Sequence, residues 1–165
     1  MGQTQPTSHL SLTGHVTLTL FDRSGQVIAQ QVVHNRIVAG GQRLLADLLL
    51  GRSTQALATV AVGSGDAAPT AEDTELAAEV YRKAIAEADK QVIEGDEGSL
   101  TVRVVVTLDT NEPPEGDVTL REIGLFDAAD VLFSRVLLPT PVMKTHDFAL
   151  QVRWDVQIGG DQDGD

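Results

Sequence analysis

No cysteine occurs among the 165 residues, so neither disulfides nor thiolate metal sites can hold this chain together, and hydrophobic packing must do so. Aromatic residues are scarce: four Phe, one Tyr and one Trp provide no ladder of rings for stacking bases or sugars. Positive charge is short as well. Twelve basic residues stand against 24 acidic ones, for a formal charge of −12, which argues against a surface that tracks phosphates and so against a nucleic-acid partner. The excess acid reads as solubility. No apolar run is long enough to span a bilayer, and Met1-Gly2-Gln3-Thr4-Gln5-Pro6 lacks the basic start and apolar core of a signal peptide. A soluble protein made in the cytoplasm, without membrane insertion, is expected.

What is present is mostly strand pattern. Val16, Leu18 and Leu20 alternate with Thr17 and Thr19, Asp22-Arg23-Ser24-Gly25 supplies a turn, and Gln26 to Val33 returns, which predicts an opening hairpin. Leu44, Leu45, Leu48 and Leu49 then recur at helical spacing, with Gln42, Arg43 and Asp47 opposite them. These predict a helix at about 38–50, with Asn35 as a possible cap and Gly51 as its stop. Leu57 to Val62 reads as a buried strand, and Glu75 to Arg82 as a helical turn. β pattern follows over Ala84–Ile93, Leu100–Leu108 and Val118–Phe126, then over Val131–Leu138, where Pro139 and Pro141 interrupt it. The longest alternation comes last: Phe148, Leu150, Val152, Trp154, Val156 and Ile158 share one face opposite Gln151, Arg153, Asp155 and Gln157.

The sum is a mainly β fold: an antiparallel β-sandwich-like domain with one amphipathic helix packed on the sheet. A single domain over 13–159 is expected, preceded by a flexible arm at 1–12 and followed by a disordered acidic tail at 160–165. Val104-Val105-Val106 and Val136-Leu137-Leu138 put apolar residues on both faces, so parts of the sheet should be covered twice, by the helix or by a neighbouring subunit.

Signals for catalysis are weak. His9, His15, His34 and His146 lack the paired spacing of a helical zinc site, and no Ser sits in a Gly-x-Ser-x-Gly elbow. Gly63-Ser64-Gly65 lacks the Lys-Ser/Thr of a phosphate loop and reads as a tight turn. Asp66, Glu72, Asp73 and Glu75 offer oxygen ligands without the spacing of a calcium loop, so a solvated acidic loop is expected. No metal and no cofactor is expected. A pair of carboxylates could still serve a glycosidase, and spacing along a sequence does not test their separation.

Several short motifs fall in a suggestive order. Val60-Ala61-Val62-Gly63-Ser64-Gly65 is followed by a Pro-Thr-acidic loop, Leu76, Glu79-Val80-Tyr81-Arg82, and Arg121-Glu122-Ile123-Gly124-Leu125-Phe126-Asp127. This succession resembles the N-terminal domain of bacteriophage tail-collar and tail-fibre proteins, over about residues 35–158. The Asn35–Gly51 segment resembles that family's opening helix, and Lys144-Thr145 stands where such proteins often carry a similar pair. The resemblance implies a structural, non-enzymatic role in a phage tail or phage-like contractile injection particle. Its partners would be other tail or baseplate proteins and the tail fibre. The protein would be a homo-oligomer, trimeric or hexameric, located in the virion or phage-like particle and assembled in the host cytoplasm. The opening hairpin, and the lack of a long shaft after the resembling part, shift the expectation from receptor recognition towards a fibre-attachment, baseplate-peripheral or collar adaptor.

The residues expected to carry structural or interface roles are Glu79, Tyr81, Arg82, Arg121, Glu122, Gly124, Leu125, Phe126 and Trp154. Arg121 and Glu122 open an apolar strand, so the charged pair is expected at a sheet edge, against Arg82 or the Glu79 turn, as an ion pair within the domain. Gly124 would permit a bulge or a close backbone approach. Two other classes of function stay open on these residues. They are a carbohydrate- or receptor-binding β-sandwich, weakened by the scarce aromatics, and a small hydrolase or metal-dependent enzyme.

Overall fold

A computed structural model of the protein describes residues 10–159, so the expectations for the start of the arm and for the acidic tail fall outside the described residues. The alternating residues of β1 (Leu12–Asp22) and β2 (Val27–His34) form the hairpin, closed by Asp22, whose carboxylate accepts the backbone N–H groups of Ser24 and Gln26. A two-residue β3 (Arg36–Ile37) leads into helix α1 (Ala39–Leu49). Then come β4 (Leu57–Gly63), β5 (Glu79–Ala84), β6 (Lys90–Glu94), β7 (Leu100–Leu108), β8 (Val118–Asp127), β9 (Leu132–Lys144) and β10 (Phe148–Ile158).

The strands pair antiparallel into two five-stranded sheets, in the orders β2-β1-β10-β7-β6 and β3-β9-β8-β4-β5. Period-two alternation sends Val16, Leu18, Val104, Val106, Val152 and Trp154 of the first sheet towards Val60, Val62, Ile123, Leu125 and Val136 of the second. Leu44 of α1 packs into the same core. The fold is therefore the expected mainly β sandwich with one helix. A second apolar cluster, Val38, Ala61, Leu76, Phe126 and Leu132, covers the opposite face of the second sheet. The chain itself supplies this cover, through Leu76 in the 64–78 loop, but Val105 and Leu137, the outward members of the doubly apolar runs, are not part of it and stay partly exposed.

Three local expectations need correction. Residues 79–82 are not helical: they open β5, where Tyr81 pairs with Val62 and Lys83 with Val60, so tertiary pairing overrides local helix preference. Pro139 and Pro141 do not end their strand. The register moves from Leu120↔Val142 to Glu122↔Leu137, so the prolines occupy a wide bulge where no ladder N–H is required. Asn35 does not cap α1. Val38 precedes the helix without any side-chain cap, while the Asn35 amide donates to the Ser134 hydroxyl.

Candidate functional site

Of the residues singled out by sequence, Glu122, Gly124, Phe126 and Arg82 share the outer face of the second sheet. After β4 the chain leaves at Gly63, runs over that face as the 64–78 loop, and returns with the Ser64 N–H donating to the Ala78 carbonyl at 2.9 Å. Beneath it lies Glu122, on an interior strand and with 0% of its surface exposed. The backbone N–H groups of Gly65 (3.1 Å) and Ala78 (2.7 Å) donate to its Oε1. Its Oε2 accepts the Ala77 N–H (2.9 Å) and both Nε (3.1 Å) and Nη2 (2.7 Å) of Arg135. Arg135, itself buried, spends its remaining donors on Asp73 (2.6 Å) and the Ala67 carbonyl (2.8 Å). Asp73 in turn accepts from the Thr70 N–H and hydroxyl.

Burial alone would raise the Glu122 pKa, but the amides of Ala78 and Ala77 and the Arg135 guanidinium outweigh it and hold the carboxyl below its ordinary value. Asp73 is lowered too, its burial outweighed by hydrogen bonds from Thr70 and Arg135. The glycines of the loop follow from this arrangement. A Cβ on Gly63 or Gly65 would lie 2.6 or 2.5 Å from Glu122 Oε1, so only glycine lets the backbone come this close. Gly124 stands next on the same face, where a Cβ would meet Leu76 at 2.9 Å.

Two smaller clusters flank this network. Arg82 lies 3.8 Å above the Phe126 ring and grips both oxygens of Glu79, with a third bond to Asp130 at 2.9 Å. Tyr81 and Lys83 both bind Glu112, at 2.7 and 2.5 Å, tying the 109–117 connection to β5. At the end of β9, Lys144 is fully buried and donates to the Thr145 carbonyl at 2.9 Å. Burial depresses its pKa against the pull of Glu112, Asp109 and Asp117.

The structure therefore separates the residues that the sequence grouped. Glu122 is interior, not at an edge, and its cation is Arg135, not Arg82. Arg121 sits at the register shift between Leu120 and Glu122, out of the alternation, and is exposed. Leu125 and Trp154 are in the core between the sheets, and Phe126 in the outer cluster, so these three hold the chain to itself. Glu79 and Arg121 remain on the surface. Arg135 and Asp73 are the members that sequence reading missed as a pair. Arg135 was the available signal, a lone cation within the apolar Val131–Leu138 run. Asp66, Glu72 and Glu75 are exposed, and Asp73 is committed to Arg135, so the acidic loop does not converge. Every carboxylate in the network is matched by a guanidinium or by amides, an arrangement that fixes a loop.

A family model, described as phage tail-collar fibre protein, N-terminal, matches residues 26–144. The chain belongs to this family. No curated protein and no solved structure matches it. In this tail-collar fibre domain, the match runs from just before β2 to the last residue of β9, and it contains the whole Glu122–Arg135–Asp73 network. β1 and β10, with Trp154, lie outside it. Membership makes the chain a structural protein of the phage tail, virion-associated and in the company of other tail proteins.

Proposed function

We propose that this chain is a fibre-attachment, baseplate-peripheral or collar adaptor of a phage tail or phage-like contractile injection particle. It acts as a homo-oligomer, trimeric or hexameric, assembled in the host cytoplasm, and it has no catalytic activity of its own. The observation that supports this reading best is the buried network itself. An adaptor has to present a fixed surface, and here a loop of some fifteen residues, which would ordinarily be mobile, is fastened over a sheet by a buried carboxylate and a buried guanidinium. The single domain expected over 13–159 suits one compact joint between larger neighbours. Particles purified from a producing strain and labelled with an antibody against this chain should carry it at the fibre-bearing region of the tail. Its absence from purified particles would reject the proposal.

A further inference from the structure

Building on the homo-oligomer of the function proposed above, we propose that copies of this chain associate head to tail, the outer face of the first sheet of one copy seating on the acidic 64–78 loop of the next. The pairing register draws five side chains into one row across that outer face: His34, His15, Asp155, Arg103 and Gln91. The next row sets Val32, Thr17, Arg153 and Val105 side by side. The face carries one carboxylate, Asp155, and it is buried. Arg103 grips both of its oxygens at 2.6 and 3.0 Å, and His15 and Arg153 each approach to 3.4 Å. Two guanidiniums against one carboxylate leave a surplus of positive charge, so this face is cationic in a chain of net charge −12. Asp89 and Asp109 stand at its rim, Asp109 paired with Lys83. Helix α1 and the 64–78 loop both pack on the second sheet, and Gln30, Val32, His34 and Gln91 of the first stay exposed.

The complement stands on the opposite side of the same sandwich. The 64–78 loop contains four acidic residues and no Lys or Arg, and its Asp66, Glu72 and Glu75 are exposed. The Glu122–Arg135–Asp73 network holds the loop in place, so its carboxylates meet a partner without the cost of ordering it. Arg82 on that side is taken up by Glu79 and Asp130, and Arg36, opposite Arg135, stands at the sheet edge. A chain with a cationic face on one side and an acidic face on the other finds its complement in every further copy, whereas two like faces brought together repel. The contact is therefore heterologous, the kind that builds rings or stacks. The apolar residues agree with this. Val105 lies on the first face, and Leu137, beside Pro69 of the loop, lies on the second; both are partly exposed. The area suffices as well. Five strands about 4.8 Å apart, over about nine residues of about 3.3 Å each, give the first face roughly 700 Å², near the roughly 800 Å² per partner of a standard interface.

Two sets of substitutions at exposed positions test the contact and leave the buried network intact. Gln30→Glu with Val32→Glu reverses the charge of the first face, and Asp66→Lys, Glu72→Lys and Glu75→Lys together reverse the exposed charge of the loop. In sedimentation equilibrium each set alone should raise the dissociation constant of the oligomer about tenfold or more, with the circular dichroism spectrum unchanged. All five substitutions in one chain should restore the parent's association, because the reversed face then meets a reversed loop. A parent that is monomeric at all concentrations would overturn both the contact and the homo-oligomer it builds on. An oligomer that neither set weakens would overturn the contact alone, and so would a five-substitution chain that stays dissociated. Loss of association in the face variant but not in the loop variant would also overturn it, and would give the face to a different anionic occupant, such as the acidic segment 160–165 of a second copy. None of these outcomes depends on where in the particle the protein resides, so a failure here leaves the tail reading standing.

Discussion

Glu122 is a carboxylate without exposed surface that nevertheless stays ionised, because amides from Gly65, Ala77 and Ala78 and the Arg135 guanidinium together supply what water would have given. Removing one partner of such a pair typically costs about 3–5 kcal/mol, since the other charge remains buried and uncompensated. Glu122→Gln should therefore lower stability by about that amount in urea unfolding, because its NH2 must face either Arg135 or a backbone N–H. The pH dependence follows with a definite sign. With Glu122, Asp73 and Glu112 all lowered, the folded chain binds fewer protons than the unfolded chain just below the ordinary carboxylate range. Their contribution is complete above about pH 4.5 and is lost as pH falls through the folded values, and the Glu122→Gln variant should lose less over that window. Lys144 runs the other way. Burial disfavours its charged form, so Lys144→Met should gain about 1 kcal/mol at neutral pH, an advantage that shrinks as pH approaches about 10.4. A Lys144→Met variant less stable than the parent at pH 7 would show that its acidic neighbours outweigh its burial.

At the scale of elements, α1 rests on β9 through its glycines. A Cβ on Gly41 would come 2.2 Å from the Phe133 carbonyl oxygen, a backbone atom that cannot swing away. Alanine would gain about 1 kcal/mol in helix propensity, but overpacking against backbone costs up to about 3 kcal/mol. Gly41→Ala should therefore be net destabilising by about 2 kcal/mol, which calorimetry would read as a melting point lower by roughly 4–8 °C. The same element shows what the sequence discloses. The leucine spacing places the helix to within a residue at each end, because periodicity reports a face that must be buried. Alternation likewise discloses β1, β7 and β10. It does not disclose order within a sheet, and hence not that β8 is interior, so a charged residue opening that strand reads as an edge residue. β5 was hidden for a related reason: its pairing with β4 comes after the long 64–78 loop, and local propensity carries no signal of such a partner. The β9 prolines mislead because a bulge and a strand end share the same local signature.

For the whole molecule, the family match and the folding unit do not coincide. The match ends at Lys144, yet β10 beyond it lies between β1 and β7 in the first sheet. It brings Leu150, Val152, Trp154 and Val156 into the core, all at most 4% exposed. Burying such side chains stabilises by about 1.5–3 kcal/mol each, so the strand contributes on the order of 10 kcal/mol before its ladder hydrogen bonds are counted. A domain of this kind has only about 5–15 kcal/mol of net stability, so the remaining contacts cannot absorb that loss. β1 and β7 would moreover be left with unpaired inward edges, since only β10 joins them. A chain of residues 1–144 should therefore be unfolded or aggregated, with collapsed amide dispersion in its NMR spectrum and no cooperative thermal transition. A cooperatively folded 1–144 fragment would mean that the second sheet, with its buried Glu122–Arg135 pair, is stable without the first, and that the matched region folds as a unit by itself.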